Sequence, residues 1–325
     1  MTLLEMRDLS VTYRTAAGPV PAVRGVSLSV DSGQILGVAG ESGCGKSTLA
    51  ATVLRLSPAN ATVTGQVLLD GEDVLTMKWG RMRAVRWAKA SIVFQGALHS
   101  LNPVRTIGRQ IAEPIILHEK VTEKVAATRV TDLLEQVGLP PRRAAAYPHQ
   151  LSGGQKQRVM IAMALACKPR LVIADEPTTA LDVMVQAQVL DLLTNLVRQL
   201  DVGLLMISHD LSVLGSTCDR VAVMYAGRVV EEGPAEQVFT AATHPYSGAL
   251  SAAFPTIGDP AARRAPRGLP GDPPNPGSLP SGCSFHPRCP RAVQVCAETE
   301  PQLEPVGAGR LAACHLVERV ERTAS

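Results

Sequence analysis

Short apolar runs alternate with amphipathic stretches through most of the chain. Three of these runs read as strands, at Gln34 to Ala39, Leu171 to Asp175 and Leu204 to Ser208. The second run is almost continuously apolar, which is typical of a strand that is covered on both faces. Strands that alternate with helical stretches favour an α/β domain built on a largely parallel sheet.

A helix-rich insert separates the first two of these strands. Between residues 106 and 166 apolar residues recur at helical spacing, as at Val130, Leu133 and Leu134. A glycine and two prolines follow this run and predict the end of that helix. We therefore expect a helical subdomain at about residues 100–165.

The texture of the sequence changes after about residue 232. From Pro255 to Pro290 proline and glycine are so dense that long regular elements are not expected. The pattern predicts two domains, one over residues 1–240 and a small irregular one over residues 241–325. We call the second of these the C-terminal appendage.

Composition narrows the possible partners and surroundings of the chain. Its 325 residues are 46% hydrophobic and 19% charged, as in a globular protein, and a net charge of +3 without a basic run argues against nucleic acid. The longest apolar stretch, Val159 to Ala166, is far shorter than the roughly 20 residues that cross a bilayer. The N-terminal residues do not resemble a signal peptide, and Cys44, Cys167 and Cys218 are scattered singly. We therefore expect a cytoplasmic protein with small buried thiols.

A phosphate-binding loop is the first clear chemical signal. The segment Gly40 to Thr48 fits G-x-x-x-x-G-K-[ST], after a predicted strand and at the start of a helix. Inward-pointing N–H groups and the helix dipole make such a loop a nest for phosphate oxygens, whereas the alternative is a flexible Gly/Ser turn. Lys46 is expected at the β- and γ-phosphates and Ser47 at Mg²⁺. The expected nucleotide contacts of the loop are Gly40, Ser42, Gly43, Cys44, Gly45, Lys46, Ser47 and Thr48.

Two carboxylates close the second predicted strand. Asp175 and Glu176 follow an apolar run, at the sheet edge where parallel strands present residues to a ligand. Asp175 is expected to hold Mg²⁺, and Glu176 to polarise the attacking water as a general base. Solvated turn residues are the alternative interpretation of such a pair.

A second glycine-rich turn precedes a predicted helix about twenty residues before Asp175. It reads Leu-Ser-Gly-Gly-Gln, with Ser152, Gly153, Gly154 and Gln155 as its last four residues. A helix start of this kind can bind an anion, or it can be a plain helix cap. The pentapeptide resembles the signature of the ABC transporter ATPases, which are P-loop NTPases with a RecA-like core. The resemblance implies that the signature faces the phosphate loop of a partner subunit, with ATP held between them.

Four further positions match the family pattern in order. Gln95 resembles the glutamine that senses Mg²⁺ and the lytic water, and Asp182 the loop that communicates across the dimer. His209 resembles the histidine at the γ-phosphate, and Tyr13 the aromatic residue that stacks on adenine. Taken singly, these residues are equally well a strand-end amide, a helix N-cap, a surface histidine and an edge-strand aromatic. Together with the loop and the signature, the resemblance implies a hydrolytically competent ATPase in which Glu176, His209, Gln95 and Lys46 are catalytic.

Two motifs narrow the resemblance to the ATPases of oligopeptide, dipeptide and nickel importers. These are Ser-Leu-Asn-Pro at residues 100–103 and His-Pro-Tyr at residues 244–246, whereas residues 96–99 depart from the pattern of many relatives. The resemblance implies a second ATPase subunit, homologous or identical, and two transmembrane permease subunits. It also implies an indirect link to an extracytoplasmic solute-binding protein, and a position on the cytoplasmic face of the membrane. The alternative is a soluble ABC ATPase that acts on DNA or ribosomes.

The remaining four cysteines lie in the appendage, at Cys283, Cys289, Cys296 and Cys314. Four thiolates could hold an iron–sulfur cluster or a tetrahedral Zn²⁺, and the lack of a C-x-x-C pair disfavours a zinc ribbon. The resemblance implies a [4Fe-4S] cluster, with Zn²⁺ and metal-free structural cysteines as alternatives. His286 and His315 are possible ligands of a mixed site, outside the expected set. A redox or metal sensor that gates the ATPase is a further, compatible hypothesis.

Overall fold

A computed structural model describes residues 2–94, 96, 100–179, 181–253, 269, 271–307 and 309–317. The chain divides into two compact units. The first unit comprises Met1–Leu4, Ser29–Ile35 and Leu68–Ile207, and the second comprises Glu5–Leu28, Leu36–Val67 and Ser208–Ser325. These units follow contacts rather than chain order, and the predicted boundary near residue 240 stays a prediction.

The described strands and helices follow one another in α/β order. The strands are β1 (Thr2–Thr15), β2 (Gly18–Asp31), β3 (Ile35–Ala39), β4 (Ala61–Leu69), β5 (Glu72–Asp73), β6 (Ala90–Val93), β7 (Leu171–Asp175), β8 (Gly203–Ser208), β9 (Arg220–Tyr225), β10 (Arg228–Pro234), β11 (Glu304–Gly307) and β12 (Arg310–Ala312). The α-helices are α1 (Lys46–Val53), α2 (Trp79–Val85), α3 (Ile107–Glu119), α4 (Glu123–Gln136), α5 (Gly153–Leu165), α6 (Val183–Gln199), α7 (Leu211–Thr217), α8 (Ala235–Thr240), α9 (Pro245–Ala253) and α10 (Gln294–Glu298). Short 3₁₀ helices lie at Pro141–Ala145, Pro148–Gln150 and His286–Arg288.

The first unit contains a parallel sheet and the helical insert. Strands β6, β7 and β8 pair in parallel, and every residue of β7 is buried, as its continuous apolar sequence predicts. Helix α4 ends at Gln136, and Gly138 follows in a left-handed conformation, which confirms the predicted helix stop. The Ser-Leu-Asn-Pro turn is held by Gln110 of α3, which bonds both the N–H and the C=O of Asn102.

The second unit contains the strand that leads into the phosphate loop. Its strands β11, β12, β10, β9 and β3 are neighbours in that order, and β3 pairs with β9 in parallel. Strands β2, β1 and β4 are neighbours in a separate sheet. The appendage adds β12 to β10 in antiparallel register, with Glu231 opposite Ala312. The sequence did not indicate these added strands, because two strands of three and four residues carry almost no periodicity.

The core is apolar and the three scattered cysteines belong to it. Cys44, Cys167 and Cys218 are buried, as expected from the sequence. Among the residues that the structure describes, no helix combines the length and the hydropathy needed to span a bilayer.

Candidate nucleotide site

The phosphate loop follows β3 and depends on two glycines. Gly40 has φ 150° and Gly45 has φ 107°, conformations that side chains rarely adopt. A Cβ atom at Gly45 would lie 2.1 Å from the carbonyl oxygen of Ala22, and one at Gly40 would lie 2.3 Å from that of Met224. The loop therefore runs directly against the backbone of neighbouring strands, and a side chain at either position would force it away.

The lysine of the loop points inward. Lys46 is only 5% exposed, and its Nζ donates to the carbonyl oxygens of Gly40 at 2.7 Å and Glu41 at 2.9 Å. Lys46 is the first residue of α1, and the next residue, Ser47, is exposed. An inward cation beside the N-terminus of a helix provides the positive charge and the N–H donors that phosphate oxygens require.

Two other loop residues connect the loop to its surroundings. Cys44 accepts a backbone hydrogen bond from Gly227 at 3.1 Å, and burial raises the pKa of its thiol. The Thr48 hydroxyl lies 3.0 Å from the Tyr13 hydroxyl, which brings the predicted adenine-stacking residue beside α1. The loop is thus assembled from the predicted residues, and the stacking role of Tyr13 stays a prediction.

His209 lies on an exposed turn between β8 and α7. The neighbouring Asp210 caps α7 by accepting hydrogen bonds from the N–H groups of Ser212 and Val213. The Asp210 N–H in turn donates to the Ser208 hydroxyl at 3.0 Å. This double anchor holds both sides of His209 while leaving its ring accessible to a ligand.

Asp175 ends β7 and Glu176 follows it, and the two carboxylates lie in different environments. Asp175 is 6% exposed, and Glu176 has φ 44°, an unusual value for a residue with a side chain. The Glu176 N–H donates to Ile207 O at 3.0 Å, and the Thr179 hydroxyl donates to the Glu176 carboxylate at 2.9 Å. Thr179 is a site residue that the sequence reasoning missed, although a hydroxyl three positions after the carboxylate was a visible signal. The strained backbone and the Thr179 bond together orient the Glu176 side chain.

The signature turn forms a capped helix start. Ser152 and Gln155 form a reciprocal capping box at the N-terminus of α5. A Cβ atom at Gly154 would lie 2.6 Å from the Val185 side chain of α6, so glycine allows close packing of these two helices. Asp182 caps α6 through a bond from the Val185 N–H at 3.0 Å. The helix-cap interpretation therefore holds for Ser152 and Asp182, and their roles across a dimer stay predictions.

Two predictions fall at or beside residues that the structure leaves out. Gln95, expected at Mg²⁺ and the lytic water, lies outside the described residues, as do residues 97–99. The strand before it, β6, ends at Val93, and Phe94 is exposed.

The four appendage cysteines line one small cavity, together with His244, Phe285, His286 and His315. Burial raises the pKa of the Cys283 and Cys314 thiols, and the neighbouring thiols add to the rise. His286 Nδ1 lies 3.0 Å from Cys283 O, and His315 Nε2 lies 2.8 Å from Thr299 O.

The geometry of this cavity does not support the expected iron–sulfur cluster. Within the described parts of the chain, no group of three or more histidine, cysteine or acidic side chains could hold a metal ion. Cys283, Cys289, Cys296 and Cys314 line the same cavity, but a cluster or Zn²⁺ also requires the sulfur atoms to converge on one point.

Two family models match the chain. A model described as ABC transporter covers residues 23–179, and one described as oligopeptide/dipeptide transporter, C-terminal region, covers residues 230–296. The second match includes three of the four appendage cysteines and ends before Cys314.

Similar proteins extend over nearly the whole chain. The oligopeptide transport ATP-binding protein OppD of Salmonella typhimurium is 43% identical over 96% of this chain and 93% of its own length. OppD of Bacillus subtilis is 41% identical over 93% of this chain and 85% of its own. Among solved structures, the dimeric bacterial ABC transporter cassette MJ0796 is 28% identical, with a TM-score of 0.65 over 72% of this chain and 99% of that one. CbiO1 of Clostridium perfringens, part of a cbiONQ transporter complex, is also 28% identical and has a TM-score of 0.63 over 74% of this chain and 91% of that one.

Proposed function

Because the chain belongs to the ABC transporter ATPases and carries their oligopeptide/dipeptide C-terminal region, we propose that it hydrolyses ATP to energise import of peptides or related small solutes. One observation carries the proposal. The 43% identity to an oligopeptide transport ATP-binding protein extends over 96% of the chain, and so runs through the phosphate loop and the appendage alike. This similarity argues against a soluble ATPase that acts on nucleic acid or ribosomes.

The proposed roles of the site residues follow from their chemistry. Lys46 neutralises the β- and γ-phosphates, and the N–H groups of the loop bind their oxygens. Mg²⁺, when bound, neutralises phosphate charge, and Ser47 and Asp175 would hold it, with Gln95 as the family-implied third ligand. Glu176 takes a proton from the attacking water, and His209 contacts the γ-phosphate. The inward Lys46 and the oriented Glu176 support these assignments.

We propose that hydrolysis requires a second ATPase subunit. The signature residues Ser152, Gly153, Gly154 and Gln155 of each subunit would complete the nucleotide site of the other. The N-terminus of α5 supports this role because the positive end of a helix dipole favours an anion. The similar MJ0796 cassette was solved as a dimer. ATP binding would close the pair and hydrolysis would reopen it.

The remaining partners are those of an importer. We propose two transmembrane permease subunits, an indirect link to an extracytoplasmic solute-binding protein, and peripheral attachment to the cytoplasmic face of the membrane. The relatives' names as oligopeptide transport ATP-binding proteins support this arrangement.

Isolation of the intact complex tests the proposal. The tagged chain is expected to co-purify from membranes with permease subunits and, after reconstitution, to couple ATP hydrolysis to uptake of a labelled oligopeptide. A chain that hydrolyses ATP normally as a monomer, with Ser152 and Gly154 dispensable, would contradict the two-subunit mechanism. A complex that transports only non-peptide solutes would refute the cargo and leave the ATPase assignment intact.

We keep the [4Fe-4S] cluster, with Zn²⁺ as its alternative, as a separate proposal. Its support is the presence of four thiols around one cavity, while the cavity geometry stands against it. An anaerobic preparation of the full-length chain should contain iron and acid-labile sulfide. Zinc in their place identifies the alternative, and the absence of iron, sulfide and zinc refutes both.

A further inference from the structure

Residue Glu41 of the phosphate loop is bound by an arginine of the appendage. Arg288 Nη1 donates to Glu41 Oε2 at 2.7 Å, and Arg288 Nη2 donates to Glu41 Oε1 at 3.0 Å. The two side chains are only 7% and 21% exposed, and the Arg288 guanidinium also donates to the Tyr225 hydroxyl at 3.3 Å. A two-pronged pair of this kind fixes orientation as well as distance, and burial protects it from screening.

A second residue of the appendage holds the backbone of the same loop residue. The Glu41 N–H donates to the Tyr246 hydroxyl at 2.9 Å, and Tyr246 is fully buried. The Tyr246 ring packs against Tyr225 and Phe285, with centroid distances of 4.6 Å and 5.3 Å. Both the side chain and the backbone N–H of Glu41 are therefore hydrogen-bonded to residues that lie more than 200 positions later in the chain.

Glu41 also supplies one of the acceptors that orient the lysine of the phosphate loop, beside those of Gly40 and Cys44. Lys46 Nζ donates to Glu41 O at 2.9 Å, so movement of Glu41 would move an acceptor of that ammonium group. Without Arg288, an unpaired carboxylate would also remain in a loop that must bind a polyanion. Both effects weaken nucleotide binding, the first by geometry and the second by charge repulsion.

Arg288 occupies a defined place among the cysteines. It ends the 3₁₀ helix His286–Arg288, and it lies between Cys283 and Cys289. Its N–H donates to Phe285 O at 3.0 Å, and the Cys283 N–H donates to Cys296 O at 2.8 Å. The backbone conformation of this cysteine-bearing segment therefore determines the position of the Arg288 guanidinium.

We propose that Arg288 is a positioning residue for ATP binding and hydrolysis, which acts by pairing with Glu41 and so presenting the phosphate loop to nucleotide. This inference rests on the proposed ATPase function. If the proposal is right, the cysteine-bearing segment contacts the phosphate loop directly, through the ion pair between Arg288 and Glu41.

Nucleotide affinity of the full-length chain tests the inference. Equilibrium binding of a fluorescent MgATP analogue is measured for wild type, Arg288→Met and the double variant Glu41→Gln/Arg288→Met, with thermal melting to measure the folded fraction. Arg288→Met is expected to weaken binding by about tenfold or more, because the Glu41 carboxylate is left unpaired. The double variant removes both charges and should bind at least about threefold more tightly than Arg288→Met, since deleting both partners of a pair costs less than deleting one.

The control is Arg291→Met, which removes an exposed arginine from the same segment and should bind like wild type. In the assembled transporter, Arg288→Met should raise KM for ATP by a larger factor than it lowers kcat. A purely structural role would lower the melting temperature and leave the affinity of the folded protein unchanged, and that result overturns the inference. A double variant as weak as Arg288→Met overturns it too.

A further variant covers the case in which Arg288→Met does not fold. Arg288→Lys keeps the charge and loses the fork, and it should bind about threefold more weakly than wild type. Wild-type affinity in this variant overturns the inference. Wild-type protein that binds no MgATP would instead refute the proposed function, so the two failures can be told apart.

Discussion

The phosphate loop and the cysteine segment, residues 283–314, reach ordered structures by different means. The lysine of the loop bonds to carbonyl oxygens within six residues of it, those of Gly40 and Glu41, although Glu41 also has distant partners. The cysteine segment contains two helices of three and five residues and two short strands. Its order comes from distant partners, such as the Arg288 to Glu41 pair and the pairing of β12 with β10.

This difference shows which kinds of damage each region should tolerate. A change in one backbone torsion of the loop displaces the groups that bind phosphate, so the main loss should be in nucleotide affinity. A segment that is held by distant contacts loses its order when those contacts are lost, so the main loss should be in the free energy of unfolding. Tyr246 and Arg288 both bond to Glu41 and so connect the appendage to the loop. A change that destabilises the cysteine segment should therefore also weaken nucleotide binding, but by less than a change in the loop itself.

The largest effect is expected from Glu176, which lies outside both regions and acts in the chemical step. Glu176→Gln should lower ATP turnover by about 10²- to 10⁴-fold, because a general base is lost while the loop that binds phosphate is unchanged. Single-turnover hydrolysis and equilibrium ATP binding measure the two effects. Wild-type turnover in this variant would remove Glu176 from the base role, and Thr179→Val, which loses only the supporting hydroxyl, should be affected less.

Gly45→Ala breaks the local region. Its Cβ would lie 2.1 Å from Ala22 O at φ 107°, so we expect about a 100-fold loss of ATP affinity, together with a loss of about 2 kcal/mol in the free energy of unfolding from the strain. Nucleotide titration and thermal melting are measured together. Gly71→Ala is the control because it has φ 77° and open space around its Cβ. A Gly45→Ala protein that binds ATP within a few-fold of wild type would contradict the role of this glycine in the loop.

Gly282→Ala is the matching change beside the cysteine segment. Its Cβ would lie 2.4 Å from Cys296 O at φ 63°, which strains the turn that leads into Cys283. We expect a loss of about 2 kcal/mol in the free energy of unfolding and only a few-fold loss of ATP affinity. Denaturant unfolding and the same titration check this, with Gly309→Ala as the control because its Cβ meets nothing nearby. Equal losses of affinity in Gly282→Ala and Gly45→Ala would erase the distinction between the regions.

Acid should affect the appendage through His244. Burial lowers the pKa of His244 from 6.5 to about 4, so between these values the unfolded chain binds a proton that the folded chain does not. The free energy of unfolding should therefore fall as pH drops, by about 2 kcal/mol between pH 7 and pH 5 from this group. Urea unfolding at several pH values measures it.

His244→Asn separates this effect from other titrating groups. Burial raises the pKa of Glu232, which contributes to stability with the opposite sign, so the difference between wild type and His244→Asn is the relevant quantity. The variant should lose this part of the acid sensitivity. Parallel pH curves for the two proteins would contradict the prediction.

Most of the fold and much of the candidate site were readable from the sequence. The three predicted strands appear as β3, β7 and β8, and the glycine-rich loop opens α1 where the motif predicts it. These features are encoded locally, since an apolar run, a capping residue or a glycine of positive φ acts on its own neighbours. The same holds for Ser152 and Asp182, whose caps lie three residues away.

The contacts between distant residues were not readable. The His-Pro-Tyr motif was recognised as a family mark, but nothing in it showed that the Tyr246 hydroxyl would receive the Glu41 N–H. Arg288 and Glu41 are unremarkable letters in the chain, and only folding brings them within 3.0 Å and out of water. Likewise, four cysteines in one segment led us to expect a metal cluster, whereas the structure shows that they line one cavity without forming a metal-binding group among the described residues.

Local patterning thus specified the nucleotide chemistry, because the phosphate loop is built from torsions and hydrogen bonds that a short string of residues encodes. The packing of the appendage on that loop depends on which side chains meet after more than 200 intervening residues, and such meetings are decided by the fold as a whole.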